Sequence, residues 1–193
     1  MYHSESICFF GGVTRSTNLM NGLEPFLDRW ANFYLLTSAA AATLIGLVFV
    51  VITLGAERRE EDDAAKIRMY LTPTVVFFAS VLGVAAILTF PSHTRLTAAL
   101  CTCLVGVVGL VYSGSTLVGG NKKSSEEWHD LITYAIVPFA AYGLLVLGGV
   151  LLLHHPQRGL TFVAVGMLSL LTLGIRNSWA IAIAIVSMPS GQD

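Results

Sequence analysis

Arg176 is the only charged residue inside a long apolar run of this chain, and Asn177 and Trp179 follow it directly. A guanidinium in hydrocarbon is costly, so such a residue ordinarily faces a protein interior or an aqueous cavity. It needs a carboxylate or carbonyls as partners, and Asp130, with Tyr134 one helical turn beyond it, is the natural acid to supply them. Further polar side chains fall at the same level of neighbouring apolar segments: Tyr112 and Ser113 near the end of one, Thr72 and Thr74 near the start of another. The candidate site is therefore a polar layer of Arg176, Asn177, Asp130, Tyr134, Tyr112, Ser113, Thr72 and Thr74. It can clamp helices together, with Arg176 snorkelling or bridging at the interface, or it can line a binding cavity.

Other constellations carry less. His3, His93, His154 and His155 fall on one side of the expected topology, but adjacent histidines do not share a helical face and no HxxxH or HxxE spacing occurs. No metal site is expected from them. Cys8, Cys101 and Cys103 are odd in number. Residues two apart on a helix point about 200° apart, so Cys101 and Cys103 read as small apolar filler and not as a bonded or metal-binding pair. No HExxH, GxSxG, P-loop or dinucleotide glycine pattern is present. The sequence thus points to no enzyme and no cofactor.

The elements that position these residues follow from composition. Apolar residues make up 54% of the 193 residues and charged ones only 12%, with mean hydropathy +0.71. Soluble domains carry about 25% charged residues, so this chain has too little polar surface to coat a soluble globule. A net charge of −1 offers no basic face to neutralise phosphates, which excludes a nucleic-acid partner.

Five apolar segments are long enough to cross a ~30 Å hydrocarbon core as helices: Asn32 to Leu54, Met69 to Phe90, Leu96 to about Val118, Leu131 to Leu153, and Leu160 to Met188. They far exceed strand length, and an outer-membrane barrel would show alternating segments of about ten residues instead. The expected fold is an all-α integral membrane bundle of about five transmembrane helices in a single domain, 32–188. A polar N-terminal segment, 1–31, precedes it, and residues 189–193 form a tail. Residues 1–31 lack the apolar core of a signal peptide. Met20 opens a stretch that reads as a natural start, so the first 19 residues are expected to be an over-called start or a loose tail.

Details within the segments carry packing expectations. Trp30 and Tyr34 stand at the start of the first, where aromatic rings favour the membrane interface. Ser38, Ala42 and Gly46 form a small-residue stripe that lets another helix approach closely. Gly106, Gly109, Ser113 and Gly114 give the third a similar face. Pro73 is placed in the first turns of the second segment, where proline is tolerated, and Pro138 inside the fourth, where it should kink the helix. The fifth segment, at 29 residues and about 43 Å, must tilt, break or leave the hydrocarbon near Arg176. The first connection, residues 55–68, mixes acids and bases and reads as a solvated helical extension.

Five spans put the termini on opposite sides. Without the first 19 residues, one side holds Arg29, Arg95 and Arg158, and the other Arg58, Arg59, Lys66, Arg68, Lys122 and Lys123. The positive-inside rule places the N-terminus outside and the C-terminus in the cytoplasm.

The stretches WANFYLLTSAAAATLIGLVFVVITL, YLTPTVVFF, DLITYAIVPFAAY and LGIRNSW, spanning residues 30 to about 185, resemble a family of small bacterial membrane proteins of unknown function. Trp30, Phe33, Thr72–Pro73, Asp130, Tyr134, Pro138 and the Arg176–Asn177–Trp179 cluster carry the likeness beyond hydrophobicity. In that family an acidic residue often follows the last tryptophan. Ala180 stands there in this chain, so no acid-dependent role is implied. The resemblance implies an inner-membrane location and the same helical bundle, with no activity attached. The function expected on this basis is structural or regulatory, through helix–helix contacts with another membrane protein or a second copy. The alternative is a small transporter or channel with a polar cavity around Arg176.

Overall fold

A computed structural model of the chain describes residues 24–56, 61–90, 94–119 and 136–186. They form five helices: α1 (Glu24–Ala56), α2 (Glu61–Thr89), α3 (Arg95–Gly119), α4 (Val137–His154) and α5 (Pro156–Val186). There is no strand among the described residues. Each helix contains a stretch long and apolar enough to cross a membrane, from Leu27–Thr53 in α1 to Pro156–Ile183 in α5. The protein is an all-α membrane protein.

The surface has the composition that lipid requires. On α3, Leu100, Leu104, Val108 and Val111 recur along one face and are all more than half exposed. Leu35, Leu36, Phe49 and Val50 do the same on α1. Apolar surface this continuous is rare on soluble monomers, and a bilayer solvates it at no cost. Hydroxyls on the outer faces are satisfied within their own helices, as the absence of water demands. Thr43 donates to Ala39 O at 2.8 Å, Thr172 to Leu168 O at 2.9 Å and Ser169 to Val165 O at 2.8 Å.

Helix ends follow local chemistry. Thr94 caps α3, its Oγ1 accepting from the Thr97 backbone N–H at 3.3 Å. Pro156 opens α5, where a missing N–H is harmless. A residue preceding proline is driven out of the helical region, and His155 indeed has φ −135° and ψ 77°. That single residue turns the chain from α4 into α5.

Packing is closest along α3–α4–α5, and glycine decides it. A β-carbon on Gly159 would lie 2.7 Å from Leu152 N and 2.9 Å from Gly148 O, and one on Gly148 would lie 2.9 Å from Val163 N. The backbones of α4 and α5 therefore touch where these two glycines cross. At the α3–α4 contact Gly106 meets Val146 and Gly109 lies against the ring of Tyr142. Helix α1 packs on α2 and, more lightly, on α5, and α2 also packs on α5.

Several local expectations change. Pro73 lies well inside α2, because the charged stretch from Glu61 continues the helix and moves its start back from Met69 by about two turns. Pro138 falls in the first turn of α4 as described, and the residues through which a kink would run, 120–135, lie outside the described ones. Helix α5 is unbroken over 31 residues, so breakage near Arg176 is ruled out. Tyr34 is fully buried and does not face the interface. It packs with Trp30 and Phe33 at ring-centroid distances of 6.2 and 5.4 Å, and its hydroxyl points to Leu160 O at 3.5 Å, tying α1 to the start of α5. The Ser38–Ala42–Gly46 stripe does not pack inside the bundle: Ala42 and Gly46 are exposed, and nothing comes within 4 Å of a β-carbon on Gly46. The reason is angular. The buried face of α1 is Tyr34, Thr37, Ala41 and Val48, and at 3.6 residues per turn the stripe drifts away from it.

Candidate functional site

The polar residues at this end of the bundle divide into a buried and an exposed set. Arg176 lies 20 residues beyond Pro156, a rise of about 30 Å and thus the far boundary of the hydrocarbon. Its side chain is exposed, while its neighbour Asn177 is only 4% exposed. Adjacent positions on a helix point about 100° apart, so the two face different surroundings. Arg176 is engaged within the chain.

Antiparallel packing of α2 on α5 fixes the depth of the others. Gly174 abuts the ring of the fully buried Phe78. Thr74 is one turn from Phe78 toward the α2 N-terminus, and Asn177 nearly one turn from Gly174 toward the α5 C-terminus. Both therefore lie about 4.5–6 Å beyond that contact, on the same side. Thr74 is fully buried and Ser113 is 2% exposed, and both are engaged within the chain. Thr72 is exposed and Tyr112 half-buried. The sequence-derived layer thus separates into an inner group, Thr74, Ser113 and Asn177, and an outer pair, Thr72 and Arg176, with Tyr112 between. Asp130 and Tyr134 lie outside the described residues.

Sequence reasoning missed the polar contact at the centre. Tyr142 is fully buried in α4, and its hydroxyl shares a 3.0 Å hydrogen bond with Ser80 Oγ of α2. Ser80 also donates to Val76 O at 2.7 Å. The Tyr142 ring rests on Gly109 and faces Phe77 at 6.3 Å between centroids. The sequence carried a signal: a hydroxyl-bearing aromatic in mid-helix must find a polar partner, and a glycine on a neighbouring helix makes room for its ring. Cys103 donates weakly to Val146 O at 3.6 Å, and it and Cys101 are both free thiols. Thr102 is fully buried, and its hydroxyl has no hydrogen-bond partner among the described residues. No three His, Cys, Asp or Glu side chains gather among the described residues.

Beside the buried set, α1 and α5 enclose a groove of about 300 Å³. Leu44, Leu47 and Val51 form one wall, and Ile175, Ser178 and Trp179 the other. It is apolar even at Ser178, whose hydroxyl is turned into its own helix to reach Gly174 O at 2.9 Å. Comparison with family models, curated proteins and solved structures finds no match to this chain. What the residues can do therefore rests on their geometry: they hold helices together and leave two shaped surfaces on α1.

Proposed function

We propose that the protein works through helix–helix contacts, as a structural or regulatory partner of another membrane protein or of a second copy of itself. The observation that carries this reading is the state of α1. Only 17% of its best spanning stretch is buried in its own bundle, against 56% for α5. Its small-residue stripe, Ser38, Ala42 and Gly46, is turned toward that uncovered side, with open space over Gly46. Small residues at i, i+4, i+8 let a second helix approach closely enough for backbone contact, and such packing drives association in lipid.

The alternative, a transporter or channel built around Arg176, draws no support from this end of the bundle. Arg176 is exposed on the outer surface, and the groove beside it is apolar. The location we favour is a bacterial inner membrane, with the N-terminus outside and the C-terminus in the cytoplasm, on the strength of the three-against-six distribution of Lys and Arg.

The test places a cysteine at Ala42 in a chain whose three native cysteines are replaced by serine. A crosslink in native membranes, to a second copy or to one other membrane protein, is expected, and Gly46→Leu should abolish it while the protein stays folded. A chain that stays uncrosslinked and monomeric in membranes would end this reading.

A further inference from the structure

Two lines of residues cross the uncovered side of α1, and exposure separates them. The Ser38–Ala42–Gly46 stripe advances in steps of four, which turns it about 40° around the helix at each step. It begins on the covered side: Ser38 is half-buried, and its hydroxyl is turned into its own helix, donating to Leu35 O at 2.8 Å. Leu35, Ala39, Ala42, Gly46 and Phe49 instead recur at alternating steps of four and three, and all five are exposed. A repeat of about 3.5 residues keeps one seam facing one partner when two helices cross with a slight left-handed supercoil, and crossings of that hand predominate in membrane bundles. Ala39, Ala42 and Gly46 fill the middle of this seam, so two backbones can come close there.

Toward the N-terminus the same repeat reaches Asn32 and then Asp28, both exposed. Asn32 lies five positions after Leu27, where the spanning stretch begins, a rise of about 8 Å. Its amide has no hydrogen bond among the described residues. This side chain names the partner. A carboxamide carries both donors and an acceptor, so an identical carboxamide opposite satisfies it. A single Asn on a heptad seam also fixes register and partner number in coiled coils.

We infer that α1 pairs with α1 of a second copy in a parallel two-fold dimer, along a seam of Asn32, Leu35, Ala39, Ala42, Gly46 and Phe49, with the two Asn32 amides bonded across the axis. The inference rests on the association reading above and names its partner. Copies inserted with one topology are related by a two-fold axis along the membrane normal, and the contact is then isologous. Each seam residue meets itself at its own depth, so the seam must tolerate its own copy at every position. Asn32 bonds to itself, the small residues leave room for each other, and Leu35 and Phe49 pack on their counterparts. No charged residue occurs between Asn32 and Phe49. Asp28 meets Asp28 only at the end of the stretch, where water and salt screen the repulsion.

The test uses the full chain, its native cysteines replaced by serine, with single cysteines oxidised in native membranes. Cysteine at Leu35, Ala39, Ala42 or Gly46 should give a product of twice the chain's mass. Cysteine at Leu36, Ala40, Thr43 or Leu47, all equally exposed on α1, should give several-fold less. Asn32→Ala should weaken the dimer about three- to tenfold, read as energy transfer between labelled copies on dilution into excess lipid, and Asn32→Gln should retain part of it. Asn32 is exposed, so these variants leave the fold intact. A product between Ala42→Cys and a different protein would overturn this inference and leave the association reading standing. Products between copies at Ser38, Ala42 and Gly46 but not at Leu35 or Ala39 would assign the contact to the four-residue stripe and likewise overturn it. So would a dimer that Asn32→Ala leaves unchanged. No product at any position would end both readings.

Discussion

At the scale of single residues, the buried hydroxyls set the polar energetics. Thr102 is fully buried with no partner for its hydroxyl among the described residues. Leaving a buried donor unsatisfied costs about 1–3 kcal/mol, so Thr102→Val, which keeps the shape and removes the hydroxyl, should raise stability. Thermal unfolding in detergent checks it, and a lowered midpoint would show that the hydroxyl has a partner. Tyr142 is the opposite case. Its bond to Ser80 joins α4 to α2, and interhelical hydrogen bonds in membranes average about 0.6 kcal/mol and reach about 1.7. Tyr142→Phe should lose that much. Combined with Ser80→Ala it should lose no more than the sum of the single effects, because the two changes remove one shared bond.

At the scale of elements, glycine decides which helices touch. The crossing of α4 and α5 brings Gly148 and Gly159 into backbone contact, so even one added methyl has nowhere to go. Gly159→Ala should cost about 1–3 kcal/mol by overpacking, read as a lower unfolding midpoint. Gly114→Ala is the control, since nothing lies within 4 Å of its β-carbon, and there the better helix propensity of alanine applies. If the two variants behaved alike, the close crossing would be wrong. Both glycines are plain in the sequence, Gly114 within a small-residue face and Gly159 just after a short link. Only the angular position of each around its helix separates the one that is jammed from the one that is open.

For the whole molecule, the expected topology is open to direct measurement. Single cysteines placed at His155 and at Ser187 in a chain without native cysteines should label from opposite sides with a membrane-impermeant thiol reagent, His155 from outside and Ser187 from the cytoplasm. Labelling of the two from one side would contradict a single crossing by α5. A cysteine at Ser113, which is 2% exposed, should stay unlabelled from either side. Labelling there would reveal an aqueous path into the bundle and revive the transport reading.

By itself the sequence determined the class of the fold. Apolar runs of membrane-spanning length with 12% charge overall admit no other backbone solution than helices whose hydrogen bonds close internally. It also marked the residues that matter at one end, since Arg176, Asn177, Thr74 and Ser113 are conspicuous wherever they sit. Only the tertiary structure decided which of them meet. Periodicity says that Arg176 and Asn177 point apart, but not which faces the bundle. That depends on where α2 and α5 touch, and Phe78 against Gly174 fixes it. The same holds for the stripe on α1. Small residues state that a close approach is possible, but not by whom, and the bundle left that face uncovered. The Tyr142–Ser80 bond spans 62 residues of sequence and depends on Gly109 lying under the ring. No local pattern encodes a contact that three helices make together.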